Sequence, residues 1–343
     1  MSFEKLPFPE FSWSHSRERT LAECARAYRH AYYTAHNGWA GDADPLARTA
    51  YRLKQLTTLD LALGTAIHTR AREMANAIRA GRAPPPLNVL RQRTRDALNS
   101  LVVTSRRRTA FVGDPKRVAM LLESYYERAL PPNLIDRIAE KLERCLYFLH
   151  TSPIWGELRA LAPSGVILLD ALNGFDLDGV MVYAVPDLLY RCEDVWTIVD
   201  WKTGPAENAV AQLAVYALYV EHALHVRCGD GCVRGRVITL VDGHDETYPL
   251  GTDDLERALG RVRSSIGAMR ALLDDEVQNV PKELSAFPLT TDPHLCWRCR
   301  FFELCRDELR SRRDNGVEGC APAPRRHVES DGVARAGSVD WSA

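Results

Sequence analysis

The stretch VPDLLYRCEDVWTIVDWKTG, residues 185–204, contains two β-type runs, LLYR and VWTIVDWK, joined by a short acidic turn. The turn returns the chain on itself and predicts an antiparallel hairpin. Side chains alternate across a strand, so Ile198, Asp200 and Lys202 share one face, while Val199 and Trp201 take the other. Asp187 lies at the start of the first run, where the hairpin brings it beside Asp200. Two adjacent buried carboxylates repel each other and call for a cation. A hard divalent ion such as Mg²⁺ takes oxygen ligands and keeps several waters. The ammonium of Lys202 can orient or help deprotonate a water and offset charge developing on a phosphate. The set suits phosphodiester hydrolysis, although a hairpin with solvated charges would show the same letters.

Around this hairpin the chain changes character. From Trp155 onward ELRALA, GVILLDAL and GVMVYAV read as strands. A helix is expected over 206–224, a strand over 235–242, a short strand at ETYPL and an amphipathic helix over 255–275. Before Trp155 the pattern is helical. One helix is expected over 12–33, with Ser or Thr as N-cap before Leu21, and another over 59–78, broken by GRAPPPLN. Asp114-Pro115 reads as an N-cap and first helical residue, followed by Val118, Leu121, Leu122, Tyr125 and Ala129 at helical spacing. After Pro131-Pro132-Asn133, a stripe from Leu134 to Leu149 predicts a further helix, with Cys145 as a core thiol. The expected architecture is α/β: a mixed central sheet at about 155–242 flanked by helices, with a helical insertion at about 80–150. The whole lies within residues 1–310, including a cysteine-rich segment at 287–310. Residues 311–343 form a polar tail with the composition of disorder.

The bulk composition is globular: 343 residues, 46% hydrophobic and 26% charged. No apolar run reaches the roughly 18 residues of a membrane span, and the N-terminus lacks the basic and apolar regions of a signal peptide. A cytoplasmic protein without membrane association is expected. The net charge is −1, yet residues 82–117 hold eight arginines and one lysine against two aspartates. That excess suits phosphate contact or, equally, a solvated basic face.

Nine cysteines in a chain without an export signal point to free thiols or metal ligands. CWRCRFFELC places Cys296, Cys299 and Cys305 at C-x₂-C-x₅-C spacing. Iron–sulfur clusters and zinc usually need four protein ligands. The fourth could come from Cys24, the Cys228/Cys232 pair, Cys320 or His294.

Pro186-Asp187 followed by Asp200-Trp201-Lys202 resembles the PD-(D/E)XK nuclease motif, and other features resemble its RecB-like branch. Gly64-Thr65-Ala66-Ile67-His68 matches a helical G-x-x-x-H, and Gln212 and Tyr216 match a Q-x-x-x-Y. CRISPR-associated RecB-like exonucleases, the AddB nuclease domain and exonuclease V also hold a [4Fe–4S] cluster, with one cysteine before the nuclease core and three after it. The resemblance implies a restriction-endonuclease-like core and a metal site of His68, Asp187, Asp200 and the Trp201 backbone carbonyl. It implies that Lys202 is catalytic and that Gln212 and Tyr216 line the DNA path or support the lysine. Glu157 is a further candidate acid. It implies a cluster on Cys24, Cys296, Cys299 and Cys305, with zinc as the alternative.

The expected activity is that of a Mg²⁺- or Mn²⁺-dependent deoxyribonuclease, an exonuclease on single-stranded or frayed DNA ends. The alternative is a non-cleaving DNA-binding or scaffold subunit. No G-x-x-x-x-G-K-[ST] sequence is present. Unwinding would therefore need a separate helicase, in a repair, CRISPR or defence setting.

Overall fold

The computed structural model describes residues 5–128, 133–161, 167–168, 174–226 and 231–314. Ser12–Ser14 is a strand (β1), followed by helices α1 (His15–Glu23) and α2 (Ala25–Arg29). The single helix expected over 12–33 is thus divided. Cys24 adopts an extended backbone, φ −164° and ψ 112°, closing α1 and capping α2. His30–Thr34 then widens into a π-turn, in which the Ala35 N–H donates to the His30 carbonyl at 3.0 Å. Hydrophobic spacing carries no mark of either irregularity. Helices α3 (Pro45–Lys54) and α4 (Leu59–Arg79) follow, and α4 matches the expected 59–78. The Thr58 hydroxyl caps α4 by accepting from the Leu61 N–H at 3.3 Å.

The segment expected as a helical insertion forms α5 (Leu87–Thr104), α6 (Arg108–Gly113), α7 (Leu122–Tyr125) and α8 (Leu134–Thr151). The predicted stripe of α8 is buried against Leu90, Leu98 and Leu101 of α5 and Leu63, Ile67 and Met74 of α4, with Cys145 inside. The helix expected from Asp114 does not form. Asp114 closes α6, and the backbone beyond it is drawn across to α4's approach: Thr57 donates to the Met120 carbonyl, and Leu122 to the Thr57 carbonyl at 2.7 Å. Leu121 donates to the Ser105 hydroxyl at 2.8 Å, so only the four residues of α7 stay helical. Ala129 lies outside the described residues. Several arginines of the basic stretch pair with carboxylates of this segment and of α4. Arg91 and Arg95 both hold Glu143, Arg93 holds Glu73, and Arg108 holds Glu127.

ELRALA, expected as a strand, lies in helix α9 (Ile154–Ala160). The strands follow: β2 (Ile167–Leu168), β3 (Gly174–Leu177), β4 (Val180–Tyr183), β5 (Leu188–Cys192) and β6 (Val195–Lys202). Helix α10 (Ala209–Leu224) crosses to β7 (Val233–Thr239), and β8 (His244–Pro249) turns back. The order is β2-β5-β6-β7-β8, with only β6 and β7 parallel. A parallel pair needs a crossover, which α10 supplies. A second sheet, β1-β4-β3, uses the N-terminal strand. There Trp13 is wholly buried and donates to the Ser265 hydroxyl at 3.0 Å. Helix α11 (Thr252–Arg270), the pair β9 (Leu273–Asp275) and β10 (Val280–Pro281), and helices α12 (Pro293–Arg298) and α13 (Phe302–Asp314) complete the chain. Residues 311–314, assigned to a polar tail, therefore extend α13; the remainder of that tail lies outside the described residues.

The large sheet separates two cores. Leu188, Tyr190, Val199, Trp201 and Ile238 face α4, α8 and α9. Leu189, Trp196, Ile198, Val233 and Val237 face α10 and α11. Strand β6 is buried on both sides, so its run is almost continuously apolar. Among the described residues no helix is long and apolar enough to cross a membrane.

Candidate active site and cysteine cavity

The expected hairpin forms, with Leu188 opposite Val199 and Cys192 opposite Val195. Asp187 sits just before β5 and reaches across to β6, where its Oδ2 accepts the Trp201 N–H at 2.9 Å. Its Oδ1 lies 2.8 Å from His68 Nδ1 on α4. Asp200 and Lys202 share the β6 face, with Lys202 Nζ 2.7 Å from Asp200 Oδ2. Lys202 also donates to Gln212 Oε1 on α10 at 2.9 Å, and the Gln212 amide donates to the Tyr216 hydroxyl at 2.5 Å. The six side chains thus form two linked sets, His68–Asp187 and Asp200–Lys202–Gln212–Tyr216, which meet at Trp201, whose backbone N–H Asp187 accepts. The Trp201 carbonyl lies on the same strand between Asp200 and Lys202.

Two glycines allow these approaches. A Cβ on Gly64 would stand 3.2 Å from Thr203 Oγ1, so α4 can lie close over the end of β6 and deliver His68. A Cβ on Gly235 would stand 2.6 Å from Leu213 Cδ1, so α10 rests directly on β7 and brings Gln212 over Lys202. Thr203 was not evident in the sequence, because its role exists only where α4 crosses the strand end.

Asp200 is almost fully buried. Burial, and then the negative charge of Asp187, push its carboxyl up to about 6, against the pull of Lys202 and His68. Its Oδ2 has the Lys202 ammonium close by but no donor aligned for a hydrogen bond. Burial disfavours a charged His68, yet the hydrogen bond to Asp187 and the charges of both aspartates outweigh it and raise the imidazole above its ordinary value. Tyr216 is raised by burial and by Asp200. A buried carboxylate oxygen without an aligned donor, beside a second carboxylate, is a donor set that fits a hard cation. Among the described residues, no three His, Cys, Asp or Glu side chains stand ready-made around one point for a metal ion.

Glu157 is elsewhere. It lies on α9, accepts from the Tyr190 hydroxyl at 2.9 Å and pairs with Arg236 at 2.8 Å. Arg236 pairs in register with Val199, on the face opposite Asp200, so Glu157 is a structural partner of β7 and not an acid of this centre.

A second constellation lies between the first helices and the last. Cys24, Cys296, Cys299 and Cys305 line one cavity of about 390 Å³. Burial pushes Cys299 up to about 11, and Cys24 adds to it. Burial, then Cys299 and Cys24, push Cys305 up to about 12 against Arg26. Three sulfurs have nitrogen neighbours at hydrogen-bond range. The Ala27 N–H donates to Cys24 and the Phe301 N–H to Cys299, both at 3.4 Å, and His30 Nε2 lies 3.8 Å from Cys305. Four thiols around one cavity, with donors aimed at the sulfurs, fit an iron–sulfur cluster, which spreads its ligands more widely than a single ion does. His30 carried no metal-ligand spacing, and the π-turn that aims it is invisible to helical periodicity. Of the other fourth-ligand candidates, Cys228 and Cys320 lie outside the described residues, whereas Cys232 and His294 do not line this cavity.

No curated protein sequence matches the chain. The sequence profile of the PD-(D/E)XK nuclease superfamily matches residues 12–306, from β1 to α13, and so takes in both constellations. By that match over most of its length, this chain belongs to the PD-(D/E)XK nuclease superfamily.

Proposed function

We propose that the protein is a divalent-metal-dependent deoxyribonuclease, with His68, Asp187, Asp200 and the Trp201 carbonyl as metal ligands and Lys202 as the catalytic cation. The observation that carries this reading is the Asp200 carboxyl, raised by burial and then by its neighbour Asp187, and approached by an ammonium at 2.7 Å. Mg²⁺ or Mn²⁺ bound there would neutralise charge on the scissile phosphate and acidify the attacking water. The rest of the work belongs to side chains. Lys202 lies against Asp200 and donates to Gln212, and its ammonium keeps further N–H groups for a phosphate oxygen or a water. Gln212 is fixed in turn by Tyr216, so the ammonium has little freedom when charge develops. Hydrolysis adds the water oxygen to phosphorus, breaks one P–O ester bond and passes a proton to the departing oxygen.

The substrate in this reading is DNA, cut as an exonuclease would cut single-stranded or frayed ends. The reading includes a structural [4Fe–4S] cluster on Cys24, Cys296, Cys299 and Cys305, as a RecB-like member of the superfamily would carry. Duplex would be supplied opened by a separate helicase, in repair or defence. The four-cysteine cavity and its N–H donors support the cluster. A second reading, a DNA-binding subunit that does not cleave, draws on the pairings His68–Asp187 and Lys202–Asp200, which engage the same groups with one another.

The test uses purified wild type and Lys202→Ala on 5′- and 3′-labelled single strands, frayed duplexes and blunt duplexes, with Mg²⁺ or Mn²⁺. The wild type degrades open ends, and the variant is slower by roughly 100-fold or more, as for loss of one preorganised stabilising group. DNA binding without cleavage by the wild type under either metal gives the second reading; equal rates in both proteins remove Lys202 from the chemistry.

A further inference from the structure

We infer that His30 is a positioning residue for the cysteine site: its Nε2–H donates to Cys305 and raises the reduction potential of the cluster held there. This inference rests on the iron–sulfur reading of the cavity.

His30 opens the π-turn, and its side chain is buried. A π-turn takes one more residue per hydrogen-bonded loop than an α-turn, so it re-aims a side chain relative to the helix before it. The ring that results stands over Phe301, with centroids 5.7 Å apart, between the second and third cysteines of the C-terminal group. Nε2 faces Cys305 Sγ at 3.8 Å and Nδ1 faces Thr34 Oγ1 at 3.2 Å.

A thiolate ligand has no proton to give, so a hydrogen bond at Cys305 calls for the proton on His30 Nε2, a tautomer with which the Thr34 contacts agree. Arg29 Nη1 donates to Thr34 Oγ1 at 3.3 Å, so that hydroxyl has its own proton to give away. The nearer acceptor is His30 Nδ1 at 3.2 Å, against 3.4 Å for the Arg29 carbonyl. With Nδ1 accepting, Nε2 carries hydrogen and points at sulfur. A thiolate accepts that hydrogen, whereas a second lone pair there would be repelled. Cys24 and Cys299 take their donors from backbone N–H groups of their own turns. Cys305 receives its donor from another part of the chain, and from a side chain that can be changed without altering a turn. Hydrogen bonds to cluster sulfurs favour the more negative, reduced state and so raise the potential.

The experiment is a spectroscopic redox titration at one pH of anaerobically purified wild type, His30→Leu, His30→Gln and Thr34→Val. Wild type absorbs broadly near about 400 nm, as an iron–sulfur protein does. His30→Leu retains the chromophore with a lower potential, by a roughly tenfold change in the equilibrium constant, or about 59 mV for one electron. His30→Gln, whose amide N–H reaches a similar position, restores much of the shift. Thr34→Val moves the potential in the same direction by less, and it decides the matter if His30→Leu fails to fold. A cluster whose potential is unchanged in these variants overturns the role of His30 and leaves the cluster intact. A colourless wild type, reconstituted with iron and sulfide or carrying zinc, overturns the cluster and this inference with it.

Discussion

At the scale of single residues, the decisive contacts are those that a glycine permits. Gly64 lies one helical turn before His68, and its missing side chain leaves α4 just outside the reach of Thr203 Oγ1. An alanine there should help the helix by up to about 1 kcal/mol. Its methyl group would meet Thr203 at 3.2 Å, so either the threonine or α4 must give by a few tenths of an ångström. Because His68 reaches Asp187 at 2.8 Å, a shift of α4 is felt first in that hydrogen bond. Gly64→Ala should therefore keep or raise the melting temperature while lowering cleavage roughly tenfold, in line with the cost of misplacing a catalytic contact. Gly64→Ala with Thr203→Ala should recover most of the rate, since the obstructing oxygen is gone. Rates and melting curves of both variants check this. A loss of stability in step with activity would mean that the glycine serves packing alone.

At the scale of elements, the sequence disclosed what periodicity and motif spacing encode. The hairpin of β5 and β6 was legible because turn chemistry and alternation agree there, and Asp200 and Lys202 share the face that alternation assigns. Helices α4 and α8 were legible from their apolar spacing, and α10 from a long apolar run that is buried nearly all round. Three elements misled for physical reasons. The apolar spacing from Val118 to Tyr125 is real, but backbone bonds with Thr57 and a bond from Leu121 N–H to the Ser105 hydroxyl outweigh helix formation. Glu157 is acidic at the right point in the chain, but α9 presents it to Arg236. Several arginines of the basic stretch found carboxylates at Glu73 and Glu143, which lie outside the residues whose charge was counted.

Tertiary ion pairs of this kind give a testable pH dependence at the contact of α1 with α11. Arg261 holds Glu18 through two contacts, at 3.0 and 2.6 Å. Burial alone would raise Glu18, but hydrogen bonds from His15 and Arg261 outweigh it and hold the carboxyl below its ordinary value. The folded protein therefore releases this proton more readily than the unfolded chain. The pair's contribution is present above the unfolded carboxylate pKa of about 4.3 and is lost as pH falls below it. Glu18→Gln should cost about 1 kcal/mol near neutral pH, allowing for partial solvent screening. Urea midpoints of variant and wild type should converge as pH is lowered toward about 4 and below. A constant gap across that range would assign the loss to packing rather than charge.

At the scale of the whole molecule, the fold brings its two ends together beside the sheet. Arg26 on α2 donates to the Phe287 carbonyl at 2.8 Å and holds Glu308 on α13 at 2.6 Å. Arg300 donates to the Lys54 carbonyl at 2.7 Å, and the Tyr125 hydroxyl to Glu303 at 2.8 Å. Lys54 and Arg300 line the cysteine cavity together with Cys24, two residues before Arg26, so a cluster there would lock ends that are already docked. The stabilisation is then smaller than for closing a free loop of comparable length, a model value of about 5 kcal/mol. Cys24→Ser should lose the absorbance near about 400 nm and melt several degrees below wild type, because metal binding to the native ligands contributes directly to folding. Arg26→Met should keep the absorbance while also melting lower, since it breaks the polar docking but leaves every thiol. Combining the two should cost more than either alone but less than their sum, because each loosens the same contact between α2 and α13. Calorimetry and absorbance on the three variants check the scheme. If Cys24→Ser retains full absorbance and wild-type melting, Cys24 is not a ligand, and the ends are held by the polar contacts alone.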